Sequence, residues 1–196
     1  EGISQSLVTH ISVSSTPEPG VITALFVGTF EPRKNLIRVL EALALLRSKD
    51  IPIKLTLFGS KGWNTDITKA VHSLDLQKSV EIRSGNDNVL ASVYQTADFL
   101  IMPSLYEGFG LPIVEAMSFG LQVVTSRGGA PEEIADGGGH FVNPYSTEDI
   151  AEGMKLISND IDLRNRLREA AIQRSKDFSW ERAGDQTIEI LRKALD

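Results

Sequence analysis

From Val21 onward, short apolar runs alternate with stretches in which apolar residues recur every three or four positions. Val21–Val27 is mostly apolar and stops at Gly28, which predicts a parallel strand covered on both faces. Leu36, Val39, Leu40, Leu43 and Leu46 follow at helical spacing, with Arg38, Glu41 and Arg47 on the opposite face. Further strands are predicted at Ile53–Phe58, Val80–Arg83, Asp98–Met102 and Leu121–Thr125, with a short one near His140–Val142. Helices are predicted at Asp66–Ser73, Val89–Thr96 and Leu111–Phe119, with a short one after Pro131.

The last third reads as helical. Ser146 or Thr147 caps a helix with Glu148 and Asp149 in its first turn, and a second covers about Asp162–Ser175. Ser179 caps a third, Trp180–Ala194, with Ile188, Leu191 and Leu195 on one side. That apolar strip either packs on its own domain or is left exposed.

Strand and helix taking turns over short links predicts an α/β fold: a Rossmann-like, doubly wound parallel sheet with additional C-terminal helices. Ligands in such sheets sit outside the carboxyl ends of the strands. The Gly- and Pro-rich segments 28–35, 59–64, 104–110 and 126–131 fall at those ends. Residues 1–20 are rich in Ser, Thr and Pro and read as a linker or tail, with one strand near residues 7–13. Residues 21–196 form the predicted domain.

Apolar residues make up 41% of the 196 positions and charged residues 23%, which excludes a disordered tail and a membrane bundle. The absence of cysteine removes disulfide scaffolds, Cys-ligated zinc and thiol nucleophiles, and suits a reducing compartment. A chain opening on Glu1 is expected to be a fragment or processed product, and no signal peptide pattern follows. The net charge of −6 argues against general nucleic-acid binding. It is concentrated: residues 131–152 carry six acids and no base, whereas the flanking regions are nearly balanced. His10, His72 and His140 lie far apart, so no metal cluster is expected, and Asp87 reads as a turn residue.

One stretch carries most of the chemistry: Pro103-Ser104-Leu105-Tyr106-Glu107-Gly108-Phe109-Gly110-Leu111-Pro112, leading into Glu115. Gly108 and Gly110 let backbone approach a ligand without a Cβ, and Pro112 suits the first helical turn. The free N–H groups near Gly110 and Leu111 then form an anion site suited to a diphosphate. Glu107 and Glu115 flank this turn as acceptors for sugar hydroxyls; the structural alternative is a turn residue and a complement to the helix dipole. Gly28 through Asn35 brings Arg33 and Lys34 to the same edge, as phosphate ligands or as a solvated helix start.

These segments together resemble the donor-binding, C-terminal half of the retaining GT-B glycosyltransferases called group 1 or family 4. The hallmark of that family is Glu, seven residues, Glu, and Glu107…Glu115 matches it. Gly28 with Arg33-Lys34-Asn35 resembles its basic phosphate motif. Val124-Thr125-Ser126, Pro131-Glu132, Asn143-Pro144 and Phe178-Ser179-Trp180-Glu181 resemble later landmarks, so the likeness runs from about Val21 to Ala194. Two positions depart from it: Thr29 stands where many members have Arg, and Leu121-Gln122 lacks a common Pro.

The resemblance implies a glycosyltransferase (hexosyltransferase) of carbohydrate or polysaccharide biosynthesis, using a nucleotide-diphosphate sugar without a metal or other cofactor. It implies that Glu107 is the catalytic contact to the donor sugar and that Glu115 binds the ribose. Backbone at Gly110 and Leu111 would hold the diphosphate, Gly28, Gly108 and Phe109 would belong to the same donor-binding set, and Arg33 and Lys34 would neutralise the departing phosphates. The loop at Arg83 would meet the base. Glu31-Pro32-Arg33-Lys34-Asn35 looks like mannosyltransferase-type members, so GDP-mannose is the first expected donor and a UDP-sugar the second. The acceptor is expected on a missing N-terminal domain, with no nucleic-acid partner. Localisation is expected to be cytoplasmic, with any contact to the inner face of a membrane made through that other domain. A non-catalytic nucleotide-sugar-binding or regulatory domain, or part of a GT-B epimerase or phosphorylase, is the alternative.

Overall fold

Runs such as Ala24-Leu25-Phe26 and Phe99-Leu100-Ile101-Met102 have no polar face, so each needs cover on both sides. In the computed structural model, which describes residues 21–63 and 65–195, they form the centre of a six-stranded parallel sheet. The strands are β1 (Ile22–Val27), β2 (Ile53–Phe58), β3 (Val80–Arg83), β4 (Phe99–Met102), β5 (Gln122–Ser126) and β6 (Gly139–Val142). Their order is β3-β2-β1-β4-β5-β6. Every residue of β4 is fully buried, as are Ala24, Leu25 and Phe26.

Eight helices flank the sheet among the described residues: α1 (Leu36–Arg47), α2 (Ile67–Ser73), α3 (Asp87–Thr96), α4 (Leu111–Ser118), α5 (Gly129–Ile134), α6 (Thr147–Asn159), α7 (Ile161–Ser175) and α8 (Trp180–Leu195). Helix α1 packs on α2 and α6, and α4 packs on α5 and α7. Apolar stripes such as Leu36, Val39, Leu40, Leu43 and Leu46 supply these contacts.

Most predicted elements stand within two residues of their expected bounds. Asp87 is a correction: it opens α3, because the Asn86 side chain accepts from Val89 N at 3.2 Å and caps the helix there. Helix α5 starts at Gly129, ahead of Pro131. Ser146, whose hydroxyl accepts from Asp149 N at 3.1 Å, is the cap of α6, and Thr147 is its first residue. The tail and strand expected in residues 1–20 lie outside the described residues. Helix α8 buries none of its residues; Ile188, Leu191 and Leu195 are 49%, 58% and 88% exposed. Among the described residues, its strip therefore does not pack on its own domain. No helix among them is long and apolar enough to cross a membrane.

Candidate functional site

Strand β1 pairs with β2 on one side and β4 on the other, and the chain leaves β1 and β4 in opposite directions across the sheet. This is the switch point at which a crevice opens over the carboxyl ends of the strands. The loops after β1 and β4 line it.

The loop after β1 is shaped by Pro32–Lys34, a single 3-10 turn, and by Asn35 in the left-handed region at φ 62°. Asn is among the few side chains that tolerate this conformation. Its amide is buried and fully used. Nδ2 donates to Pro103 O at 2.9 Å and Pro144 O at 2.7 Å, while Oδ1 accepts from Arg38 at 2.8 Å. Asn35 thus ties together the loops after β1, β4 and β6. Leu105 N also donates to Arg33 O at 2.7 Å.

That arrangement aims Arg33 and Lys34 at Glu107. Lys34 Nζ lies 2.7 Å from Glu107 Oε1, and Arg33 Nη1 lies 2.9 Å from Oε2. Glu31 holds Arg33 Nε at 2.9 Å. The Lys34 and Glu107 side chains are 7% and 6% exposed, so this ion pair is nearly desolvated. Burial works against the Arg33 charge, but Glu107 and Glu31 outweigh it and raise its pKa further. Two acids and two bases leave the cluster formally neutral. The expected separation of roles, cations toward phosphate and Glu107 toward sugar, is thus joined by a direct contact between them. A hydroxyl reaching Glu107 would use the lone pairs left over, since each carboxylate oxygen accepts more than one bond.

Past Glu107 the chain turns into α4. Gly110 takes φ 112°, a conformation a Cβ would strain, and no side chain caps the helix. Gly110 O accepts from Ile113 N at 2.8 Å, while the N–H groups of Gly110 and Leu111 have no acceptor among the described residues. They stand at the positive end of the helix dipole. Around Gly108 an added Cβ would meet nothing within 4 Å. The half-buried Phe109 ring meets Phe178 edge-on, with centroids 5.8 Å apart. At Gly28 an added Cβ would lie 3.5 Å from Lys34 Cε.

Glu115 stands one turn into α4, and its Oε2 accepts from the Tyr94 hydroxyl at 2.8 Å. Burial raises the Glu115 pKa, the Tyr94 bond opposes this, and the Asp87 carboxylate adds to it. Tyr94 is itself fully buried and stacked on Phe119 at 5.2 Å. Its own pKa is driven well up by burial and by Glu115. Arg83 ends β3, two strands from β1, with Nε 3.8 Å from Glu81; the structure does not bring it to the Glu107 cluster.

A cavity of about 610 Å³ opens beside Glu107, walled by Tyr106, Arg127, Gly128 and Tyr145 from the loops after β4, β5 and β6. A smaller one of about 190 Å³ lies near Phe30, Lys61 and Ile82. Sequence reasoning missed Tyr94 and the pinning role of Asn35. A tyrosine on the buried side of a helix needs a partner for its hydroxyl, and that is the signal that could have found the first.

Residues 10–174 match the family described as "Glycosyl transferases group 1". The O-antigen chain mannosyltransferase B of Escherichia coli is 33% identical over 168 residues, covering 84% of this chain and 44% of that protein. Sucrose-phosphate synthase from Thermosynechococcus elongatus superposes with a TM-score of 0.79 at 25% identity, covering 89% of this chain and 45% of the other. A C-terminal domain of a group 1 family protein from Francisella tularensis has the same fold, with a TM-score of 0.70 at 24% identity, covering 80% and 85%. The chain spans less than half the length of the curated relatives it matches.

Proposed function

The chain belongs to the group 1 glycosyl transferases, and we propose that it is the domain that binds a nucleotide-diphosphate sugar and presents it for transfer with retention of configuration. The observation carrying this reading is the convergence of Arg33, Lys34, Glu107 and the uncapped start of α4 at the β1/β4 switch point.

In this reading the diphosphate lies on the N–H groups of Gly110 and Leu111 beside the Arg33 and Lys34 cations. Glu115 takes the ribose hydroxyls. Glu107 takes hydroxyls of the sugar, which extends into the 610 Å³ cavity. As the bond from the anomeric carbon to the diphosphate oxygen breaks, its electron pair moves onto the diphosphate. Positive groups fixed there before reaction stabilise that charge more than they stabilise the ground state. The acceptor hydroxyl attacks the anomeric carbon and gives its proton to the departing diphosphate. Glu107 orients and stabilises rather than attacks, because both its oxygens are held by cations. GDP-mannose is the first donor assigned, in keeping with the mannosyltransferase name of the Escherichia coli relative, and a UDP-sugar is the second. The acceptor is assigned to a separate domain.

Calorimetry with GDP, GDP-mannose and UDP tests this on the wild type, Glu115→Ala and Lys34→Ala. Both variants should bind at least about tenfold more weakly, as expected when a charged hydrogen bond is lost. Equal affinity in all three proteins would reject the assigned roles.

A further inference from the structure

The glycine turn needs to hold its N–H groups still, yet it is built from residues that resist fixing. Gly108 has no side chain and nothing within 4 Å of where a Cβ would stand. Gly110 contributes only backbone. Between them, Phe109 is the one side chain able to hold the turn down. It meets Phe178, beyond the end of α7, with ring centroids 5.8 Å apart and planes at 84°.

Phe178 is held in turn. The Arg174 guanidinium lies 4.8 Å from its ring centroid. Arg174 Nη2 donates to Glu133 O at 2.8 Å, Nε to Ile134 O at 3.2 Å, and Nη1 to Asp177 at 3.0 Å. A chain of contacts therefore runs from α5 and the α7–α8 corner, through Arg174 and Phe178, to the ring between the two glycines.

We propose that Phe178 is a positioning residue: it fixes Phe109 and thereby the N–H groups of Gly110 and Leu111 at the β-phosphate of the donor. This rests on the donor-site reading given above. It differs from a general packing role in one measurable respect. Only ligands that reach the glycine turn should sense the loss, so discrimination between nucleoside diphosphate and monophosphate should fall.

The experiment titrates the full chain with GDP, GMP, UDP and UMP in a calorimeter, for the wild type, Phe178→Ala, Phe178→Tyr and Arg174→Gln. The nucleoside whose diphosphate binds more tightly is then used throughout. Phe178→Ala should weaken diphosphate binding about 3- to 10-fold, the scale of one aromatic pair, and monophosphate binding less than about 2-fold. Phe178→Tyr keeps the ring and should restore wild-type discrimination. Arg174→Gln frees Phe178 while leaving both rings intact, and should show the same selective loss if Phe178→Ala does not fold. Unchanged diphosphate affinity, equal losses for both ligands, or failure of Phe178→Tyr to restore would overturn the proposal. A wild type that binds no nucleotide at all would overturn the donor-site reading itself.

Discussion

Replacing Lys34 by Met removes the cation from a nearly dry ion pair and leaves Glu107 behind. Breaking a buried pair from one side typically costs about 3–5 kcal/mol, because the remaining charge is stranded. Here Glu107 keeps Arg33 Nη1 at 2.9 Å, and Arg33 is 41% exposed, so water reaches the surviving pair. The expected loss is therefore smaller, about 1–3 kcal/mol, or about 3–10 °C in Tm for a domain of this size. Arg33→Ala keeps the tighter Lys34 contact and should cost about 1 kcal/mol or less. The double variant Lys34→Met/Glu107→Gln strands no charge and should be more stable than Lys34→Met alone. Urea denaturation followed by circular dichroism measures all four proteins at one pH. The reasoning fails if Lys34→Met lies within about 0.5 kcal/mol of wild type, or if the double variant is no better than the single.

Three further outcomes are expected. Because the folded-state pKa of Glu115 is raised, its contribution to stability is complete below the ordinary glutamate range and is lost as pH rises through the folded value. Glu115→Gln should thus gain stability relative to wild type across that window, and a difference that stays flat with pH in urea melts refutes it. Asn35→Ala should cost about 2–4 kcal/mol, since it leaves the Pro103 and Pro144 carbonyls unpaired and forces Ala to φ 62°; Asn35→Gly, which keeps the φ, should cost about 1 kcal/mol less by the same melts. Gly110→Ala should lose about 1–2 kcal/mol, with φ 112° and a Cβ 3.2 Å from Ile113 Cδ1, whereas Gly108→Ala should unfold like wild type while weakening nucleoside-diphosphate binding in calorimetry.

Periodicity is enough to locate β2 and β3 to the residue: β2 sets Ile53, Leu55 and Leu57 against Lys54 and Thr56, and the edge strand β3 sets Val80 and Ile82 against Glu81 and Arg83, each run bounded by turn residues. The glycine turn and its two flanking carboxylates were legible for a similar reason: the spacing of Glu107 and Glu115 is local. What stayed hidden is contact across the chain. Nothing local says that Lys34 would meet a carboxylate 73 residues away, or that Tyr94 would reach Glu115. Asn35 looked like part of a basic motif, yet its role comes from carbonyls at positions 103 and 144, brought together by the sheet order. Nothing local to the two glycines shows where the Phe109 ring goes, because its partner Phe178 comes from beyond α7.

The neutrality of the Glu31, Arg33, Lys34 and Glu107 cluster bears on kinetics. A dianionic diphosphate approaching this site gains little long-range attraction from Arg33 and Lys34, because Glu31 and Glu107 already compensate both. Those two cations then add little steering to capture and little salt dependence. Differences between one donor and another accumulate in how long each stays, not in how often it arrives.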